Sequence, residues 1–251
     1  MQPMTRGPYT ASLLSGDSDL TEAQALRHLA FRRPVLAGAA GEAAHSAAGA
    51  RGHDGDAFDP LCRHLVVREG TGALVACCRV LGFAAGQDLS ASYAAQVYDL
   101  TGLSAFPGHR MELGRFCLHP ARHDPDILRL IWGALTAIVD ADGVAMLFGC
   151  SSFVGADPAP HLPALAALPP YVGPAAYIPG PRAAERVGFP AGPGTAAGLP
   201  PLLRTYLTMG GWVSDHAVID RDLDTLHVFT ALPIAQIPAA RARALRAIAA
   251  P

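Results

Sequence analysis

One strand-like segment, residues 111–120, constrains this chain more than any other. It reads Met-Glu-Leu-Gly-Arg-Phe-Cys-Leu-His-Pro, which places Glu112 and Arg115 among apolar side chains. A strand this apolar is largely buried, and buried charges are costly unless they are paired or used. Side chains alternate along an ideal strand, so these two residues would point to opposite faces. A bulge near Gly114 would bring them to one face, and because bulges cluster beside active sites, we expect chemistry on this strand.

The composition of the 251-residue chain excludes several classes of protein. Hydrophobic residues make up 51% of it, which is enough for a core. No apolar run reaches the roughly 18 residues that a membrane-spanning helix needs. Residues 1–10 lack the pattern of a signal peptide, so the sequence predicts a cytoplasmic protein. The net charge of −2 does not suggest nucleic-acid binding, which calls for a concentrated basic patch.

The cysteines and basic residues narrow the chemistry further. Five cysteines, most of them in apolar runs, are typical of buried thiols in a reducing compartment. Spacings typical of structural zinc sites are absent, and Cys62 and His64 beside Asp59 form the only metal-like grouping, so we expect no metal. The chain contains no lysine, which rules out lysine Schiff-base chemistry and a P-loop lysine.

The pattern along the chain predicts a single main domain with two appendages. Residues 1–18 are expected to form a lead-in, residues 19–237 the domain and residues 238–251 a C-terminal helix. Stretches rich in Ala, Gly and Pro at 37–56 and 169–200 predict irregular loops.

Strands on either side of one long helix predict a mixed α/β protein. Arg63–Glu69 and Ala73–Phe83 flank a Gly-Thr-Gly turn and predict a hairpin. Apolar residues at helical spacing predict a helix over Asp124–Asp142, followed by a strand at Val144–Cys150 and a loop at 151–160. The other expected elements are a helix opened by a capping box at Asp19 and Glu22, helices at 201–209 and 239–249, and strands at 212–219 and 225–232. No dinucleotide-binding glycine fingerprint occurs.

The order hairpin, acidic strand, long helix and strand resembles that of the GNAT acyltransferase superfamily. Residues 58–65, 112–120 and 147–153 are similar to motifs of the bacterial ornithine-acyl-[acyl carrier protein] N-acyltransferases. The segments at 200–213 and 220–224 extend the resemblance, which covers roughly residues 20–237. It implies a GNAT-like α/β (α+β) fold, in which helices flank a central mixed, mostly antiparallel twisted sheet with splayed strands.

A more distant resemblance, to the acyl-homoserine lactone synthases, assigns roles to individual side chains. The positions that match that family's motifs are Arg27, Phe31, Asp56, Asp59, Arg79, Glu112 and Arg115. Both families transfer acyl chains from acyl carrier protein to an amine derived from an amino acid.

The resemblance implies catalytic roles for Glu112 and Arg115. Aminolysis of a thioester needs a proton acceptor, and Glu112 is the candidate general base. The alternative is a Glu112–Arg115 pair that only holds the strand. Arg115 and Arg79 would orient carboxylates, either the substrate's or that of Asp59, although Arg79 could equally be an exposed hairpin charge. Arg27, Phe31, Asp56, Asp59, Arg79 and Asp157 would bind the acceptor, with Asp56, Asp59 and Asp157 as three candidates for its side-chain ammonium.

The splayed strands of the superfamily hold a pantetheine arm, here between residues 111–118 and 144–150. The residues expected to contact the acyl chain and pantetheine are Phe116, Leu118, Phe148, Cys150, Ser151 and Phe153. CoA-using members carry a glycine-rich pyrophosphate loop, whereas residues 119–125 here contain no glycine. We therefore expect a carrier-protein donor, contacted by Arg110, Arg122 and Arg129, and no cofactor beyond the donor's own phosphopantetheine.

These observations predict an enzyme that moves a (3-hydroxy)acyl chain from acyl carrier protein to the α-amine of L-ornithine, giving lyso-ornithine lipid. It would work in the cytoplasm, beside the inner membrane that receives its product. One alternative is an acyl-homoserine lactone or other N-acyl amino-acid synthase. Alternatives from other classes are a cysteine thioesterase that uses Cys150 and a non-catalytic lipid-binding protein.

Overall fold

The computed structural model describes residues 1–32 and 52–249. The part of the expected 37–56 loop that precedes residue 52 lies outside the described residues. By its internal contacts the chain divides into two compact units. The first comprises residues 1–81, 113–143 and 239 onward, and the second comprises residues 82–112 and 144–238. Among the described helices, none is long and apolar enough to cross a membrane.

The strands are β1 (Met4–Arg6), β2 (Tyr9–Leu13), β3 (Arg63–Glu69), β4 (Leu74–Phe83), β5 (Tyr98–Asp99), β6 (His109–Leu118), β7 (Val144–Val154), β8 (Gly180–Pro181), β9 (Arg186–Gly188), β10 (Trp212–Asp220) and β11 (Thr225–Pro233). The α-helices are α1 (Asp17–Arg27), α2 (Thr101–Ser104), α3 (Pro125–Ala141), α4 (Leu162–Leu165), α5 (Pro201–Thr208) and α6 (Ala239–Ala249). A π-helical turn, His28–Arg32, follows α1, and short 3-10 segments include Asp59–Leu61 and Ala94–Gln96.

The main sheet is mixed, with the strand order β1-β2-β3-β4-β6-β7-β11-β10-β9. β6 and β7 run parallel, while β2–β3, β3–β4, β7–β11 and β10–β11 run antiparallel. The β6–β7 ladder pairs His109–Glu112 with Val144–Phe148. β7 continues to Val154 in register with β11. The expected mixed, mostly antiparallel sheet is confirmed.

In the first unit, the lead-in expected at residues 1–18 contains a hairpin. Its second strand, β2, extends the sheet by pairing with β3, so that Tyr9 lies opposite Glu69. The predicted β3–β4 hairpin is confirmed, and Gly72 in its turn has a φ of +88°, a conformation that glycine adopts without strain.

The helices of the first unit include one correction. The residue before α1 is Gly16, which forms no side-chain cap, so the capping box predicted at Asp19 and Glu22 is wrong. Their carboxylates instead accept hydrogen bonds from the Arg68 guanidinium on β3, at 3.0 and 2.7 Å. Helix α3 has the predicted extent, and Asp124 caps it by accepting a hydrogen bond from Asp126 N.

In the second unit, β7, β10 and β11 pack against helices α4 and α5 to form an apolar core. The core contains Phe153, Leu165, Leu203, Val213 and Val228. The loop predicted at 151–160 is wrong for its first four residues, because β7 continues to Val154 in register with β11. The segment 169–200 contains short elements, including β8 and β9, where an irregular loop was expected.

Candidate active site

The backbone of β6 departs from regular strand geometry at Arg115. Its φ is +51°, in the left-handed region that non-glycine residues rarely occupy, whereas the sequence predicted a bulge near Gly114. Such strain persists only where surrounding contacts hold it, and it concentrates at functional sites. We therefore expect the contacts of Arg115 to hold its backbone in this conformation.

Asp59 accepts hydrogen bonds from three side chains of the first unit. Arg27 reaches it with two parallel hydrogen bonds, Nη1 to Oδ1 at 2.8 Å and Nη2 to Oδ2 at 2.5 Å. Gln24 Nε2 donates to Oδ2 at 2.9 Å and Arg79 Nη1 donates to Oδ1 at 2.7 Å. The side chain of Asp59 is only 2% exposed, so these contacts replace the water it loses on folding.

Asp56 joins the arginines of two different strands. Arg79 on β4 donates to its Oδ1 and Oδ2, at 2.5 and 2.9 Å. Arg115 Nη2 on β6 donates to Oδ2 at 3.2 Å. At 23% exposure, Asp56 is more accessible than Asp59. The expected contact between Arg79 and Asp59 is present, and Arg79 is buried at 3% exposure, so it is not an exposed hairpin charge.

A third carboxylate, Asp54, belongs to the same group and was not predicted. Its Oδ2 accepts from Arg115 Nε at 2.9 Å, and its Oδ1 accepts from Arg32 Nε at 2.9 Å. Arg27 Nε lies 3.8 Å from Oδ2. We refer to Arg27, Arg32, Asp54, Asp56, Asp59, Arg79 and Arg115 as the arginine–aspartate cluster.

The cluster keeps its carboxylates ionised in spite of their burial. Burial raises the pKa of Asp59, but the hydrogen bonds and charge of Arg27, aided by Gln24 and Arg79, hold that pKa well below its ordinary value of 3.8. Burial likewise raises the pKa of Asp54, and Arg115, Arg32 and Arg27 together lower it below 3.8. Burial works against the charge of Arg79, yet its bonds to Asp56 and Asp59 raise the pKa of its guanidinium above the ordinary value.

Two further side chains support the cluster: Gln24, which was not predicted, and His64, which the sequence grouped with Asp59 only as a metal-like set. Gln24 on α1 bonds to Asp59 and lies against Gly55, where an added Cβ would come within 2.9 Å of its Nε2. His64 Nε2 lies 3.0 Å from the carbonyl oxygen of Asp59, and burial lowers the pKa of its imidazole below 6.5. His64 lay inside the motif at 58–65, so the sequence carried a signal for it.

Glu112 accepts hydrogen bonds from two backbone amides of the second unit. Its Oε2 accepts from Tyr93 N and its Oε1 from Ala94 N, each at 2.8 Å. These amides open the 3-10 turn Ala94–Gln96, so the carboxylate acts as an anion at a helical N-terminus. Glu112, 6% exposed, is also the last β6 residue in the ladder with β7, opposite Phe148.

The comparisons with known proteins decide the family. The L-ornithine N(alpha)-acyltransferase of Rhodobacter capsulatus is 32% identical over 187 residues, which are 70% of this chain and 72% of that protein. The enzyme of the same name from Rhizobium meliloti is 32% identical over 245 residues, 88% of this chain and 78% of its own. The chain belongs to the L-ornithine N(alpha)-acyltransferase family. It is therefore an acyltransferase, and a model of the acetyltransferase (GNAT) domain matches residues 26–133.

A solved structure supports the fold of this ornithine acyltransferase family member. FeeM, an N-acyl amino acid synthase from uncultured soil microbes, matches with a TM-score of 0.52 at 10% identity. The match covers 90% of this chain and 92% of FeeM. At that identity the likeness concerns the fold alone, and it confirms the predicted GNAT-like architecture.

Arg110 of this ornithine acyltransferase family member lies in its interior, so its predicted contact with acyl carrier protein is wrong. The side chain is 0% exposed, and its guanidinium donates to four backbone carbonyls. Those of Ala84 and Gln87 lie at 2.5 and 2.9 Å, and those of Leu103 and Ser104 at 3.2 and 2.8 Å. Arg110 thus ties together two loops of the second unit. Arg122 and Arg129 lie at the surface, with side chains 42% and 55% exposed.

Asp157, the third candidate for binding an ammonium, is not among the residues of the cluster. It is exposed, and its Oδ1 accepts from Ala159 N at 3.0 Å, which is a local turn contact. Phe31 is in the π-helical turn and packs against an apolar group that includes Leu26, Val66 and Cys117.

The aromatic and small residues expected along the acyl chain have packing partners. Phe116 lies 5.8 Å from Trp132 between ring centroids, and the rings of Phe148 and Phe229 stack at the same spacing. Phe153 is in the core of the second unit, and Ser151 Oγ accepts from Thr230 Oγ1 at 3.0 Å. Cys150 pairs with Phe229 on β11 and is half-buried, as is Leu118 at the end of β6.

Within residues 1–32 and 52–249, no three His, Cys, Asp or Glu side chains are grouped so that they could hold a metal ion. The metal-like grouping of Cys62, His64 and Asp59 does not form such a site, because the Asp59 carboxylate is occupied by Arg27, Gln24 and Arg79.

Proposed function

We propose that this protein transfers a (3-hydroxy)acyl chain from acyl carrier protein to the α-amine of L-ornithine, forming lyso-ornithine lipid. The observation that carries the proposal is the 32% identity to two L-ornithine N(alpha)-acyltransferases over more than two thirds of each relative. The match with the GNAT domain supports direct transfer to an amine.

The reaction forms a C–N bond and breaks a C–S bond. The neutral α-amine attacks the thioester carbonyl carbon, a C–N bond forms, and the C–S bond breaks as the pantetheine thiol leaves. The nitrogen loses a proton and the sulfur gains one, so the proton balance needs an acceptor and a donor. Glu112 is the proposed acceptor, acting directly or through a water molecule, since each carboxylate oxygen can accept more than one hydrogen bond.

The start of helix α3 supports a carrier-protein donor over CoA. Asp124 caps the helix, so its own carboxylate accepts from the amide of Asp126, and Pro125 between them has no N–H. Asp126 adds a second carboxylate in the first turn. A pyrophosphate would need free backbone amides at this position, whereas here the Asp126 amide is already bonded to Asp124, and the Asp126 carboxylate pairs with Arg6 and Arg129.

The exposed fractions of the candidate carboxylates favour Asp56 as the partner of the ornithine side-chain ammonium. Asp59 is buried and bonded to Arg27, Arg79 and Gln24, so a ligand would have to displace those bonds. Asp56 is 23% exposed while Arg79 and Arg115 hold it in a fixed orientation. A fixed, accessible carboxylate is the group that a flexible cationic side chain needs.

Peripheral contact with the cytoplasmic face of the inner membrane is part of the proposal, because the product belongs in a bilayer. The last helix, α6, carries Arg241 and Arg243 as exposed cations that anionic lipid would attract. Arg246 on the same helix bonds to Asp140 of α3 instead.

The test is a transfer assay with pure protein, measuring N-acyl products by mass spectrometry. The donors are one 3-hydroxyacyl chain on acyl carrier protein and the same chain on CoA, and the acceptors are ornithine, lysine, glycine and tyrosine. We expect product with ornithine and the carrier-protein donor. Equal product from ornithine and glycine would contradict the proposed acceptor, and faster transfer from CoA would contradict the proposed donor.

The surface arginines give a matched test of the donor. Arg122→Glu should raise the KM for acyl carrier protein, most at low salt, because exposed charges steer acidic partners and salt screens them. Arg204→Glu reverses an exposed charge on α5 and serves as the control. If both variants changed this KM equally, Arg122 would not be a specific contact.

A cysteine thioesterase is the rival that the same assay excludes. Cys150→Ala should retain transfer, because Cys150 is a strand residue paired with Phe229. A trapped acyl-cysteine together with loss of transfer in this variant would favour the rival instead.

A further inference from the structure

Asp54 is a buried carboxylate of the arginine–aspartate cluster. Its side chain is 2% exposed, and two arginines hold it from opposite ends of the carboxylate, Arg32 on Oδ1 and Arg115 on Oδ2. Its backbone N–H donates to the carbonyl of Gln24 at 3.0 Å, which fixes the main chain as well. Asp54 therefore presents one oxygen to Arg115 from a rigid position.

Arg115 needs a fixed anionic partner because of its backbone conformation. Its backbone has a φ of +51°, where a side chain with a Cβ is strained, so the strand alone does not hold the residue in place. Asp54 accepts from its Nε and Asp56 from its Nη2, at 2.9 and 3.2 Å. Two carboxylates on two sides of the guanidinium determine the plane in which it lies.

The ionised state of Asp54 suits this task. Burial raises the pKa of its carboxyl, but Arg115, Arg32 and Arg27 lower it below 3.8, so the group is anionic at neutral pH. An anion is required because a neutral side chain would not balance the charge of a guanidinium that is only 11% exposed.

We propose that Asp54 is a positioning residue for acyl transfer, which holds the Arg115 guanidinium in the orientation that binds the carboxylate of the acceptor amino acid. The inference rests on the proposed function, in which Arg115 orients a substrate carboxylate. Asp54 does not itself touch the substrate, and it acts through Arg115.

A double-mutant cycle tests the inference. Asp54→Asn keeps the shape of the side chain and removes its charge, and we expect kcat/KM for ornithine to fall by about ten- to a hundredfold. The KM for ornithine should rise while the KM for acyl carrier protein stays unchanged. In an Arg115→Gln background, Asp54→Asn should change kcat/KM by less than about twofold, because its target is gone.

Arg32→Gln is the matched control, since it removes the ion pair at Oδ1 of Asp54 and leaves the bond between Asp54 Oδ2 and Arg115 in place. If the role of Asp54 were only structural, Arg32→Gln and Asp54→Asn would lower kcat/KM by similar factors. The effects of Asp54→Asn and Arg115→Gln would also be independent, so that the double variant would show the product of the two single losses. Either result would overturn the inference. Asp54→Glu, which keeps the charge, should recover part of the lost kcat/KM.

The same double-mutant cycle, measured as urea unfolding midpoints of Asp54→Asn, Arg115→Gln and the double variant without substrate, separates this inference from the proposed function. Should ornithine fail as the acceptor in the wild-type assay, the proposed function is wrong. Independent effects of Asp54→Asn and Arg115→Gln on the unfolding midpoint would overturn the positioning role whatever the acceptor is.

Discussion

Arg27 and Asp59 form a two-pronged ion pair, with N–O distances of 2.8 and 2.5 Å, in which neither side chain is more than 2% exposed. Arg27 is the last residue of α1, and Asp59 opens the 3-10 turn that precedes β3. The pair therefore joins the first helix to the hairpin that carries Arg79. The pair also helps to position Arg79, because Asp59 accepts a hydrogen bond from the Arg79 guanidinium.

Arg27→Met should lower the free energy of unfolding by about 3 kcal/mol, since removing one partner leaves a buried charge undercompensated. Urea unfolding followed by circular dichroism measures the change. Arg246→Gln is the control, as it breaks a two-pronged pair with Asp140 at an exposed site where water screens the charges. Equal midpoint shifts for the two variants would show that burial of the Arg27 pair does not matter.

The same pair should make stability depend on acid. The pKa of Asp59 is held well below 3.8 in the folded protein, so the stability it contributes is complete above that value. It is lost as the pH falls below 3.8 and the unfolded state takes up the proton first. Asp59→Asn should therefore flatten the fall in urea midpoint below about pH 4.

Local patterns predicted the regular elements well. The apolar spacing of α3 and the hairpin of β3 and β4 are properties of short segments, so the sequence alone was sufficient. The capping box was wrong because the helix begins at Asp17, before Asp19, and the carboxylates of Asp19 and Glu22 bond to a side chain distant in sequence, Arg68.

The candidate site was predicted through resemblance and could not be derived from spacing. Arg27, Asp59, Arg79 and Arg115 come from four separate segments, and only the fold brings them together. Asp54 was missed because nothing distinguishes it within a Gly-, His- and Asp-rich stretch. Arg110 was misjudged because arginine is rarely fully buried, and its partners are backbone carbonyls that no sequence pattern reveals.

His227 should make stability fall at mildly acid pH. Burial lowers the pKa of its imidazole from 6.5 to about 4, with a smaller contribution from His216 in the same direction. A histidine kept neutral in the folded state contributes stability above pH 6.5, and that stability declines as the pH falls from 6.5 towards 4. The predicted loss is at most about 3–4 kcal/mol, since one pKa unit corresponds to about 1.4 kcal/mol.

The measurement for His227 is the urea midpoint between pH 4 and 7. His227→Phe should flatten this profile, though it also removes the contact with Tyr98, whose hydroxyl lies 3.4 Å from His227 Nδ1. His123→Gln, at an exposed position, is the control. An unchanged profile in His227→Phe would assign the acid sensitivity to other groups.

Arg110→Ala should destabilise the second unit strongly. The substitution removes the guanidinium that bonds to four carbonyls. Those of Ala84 and Leu103 still accept from Gln87 N and Phe106 N, whereas those of Gln87 and Ser104 lose their bond to Arg110, and each buried group left unpaired costs about 1–3 kcal/mol. Proteolysis within residues 84–104 should accelerate. Arg122→Ala removes an exposed arginine and should change neither the stability nor the rate of proteolysis. If the Arg110→Ala protein were as stable as the wild type, water would be able to replace the guanidinium.

Glu112→Gln should separate the two roles of this carboxylate. Its oxygens accept from Tyr93 N and Ala94 N, and a glutamine offers only one acceptor, so one of these buried amides loses its partner. Hydrogen exchange at Tyr93 and Ala94 should become faster in the variant. If the carboxylate is also the base, kcat should fall by about 100-fold or more.

Gln96→Ala is the control for the anchoring role, because it loosens the same turn by removing the contact of Gln96 Nε2 with Tyr93 O at 3.3 Å. A variant that exchanges faster but retains kcat has a loosened turn and an intact base. When the two variants show similar hydrogen-exchange rates at Tyr93 and Ala94, kcat should be far lower in Glu112→Gln than in Gln96→Ala. Equal kcat in the two variants would leave Glu112 as the anchor of residues 93 and 94 and would assign the proton to another acceptor.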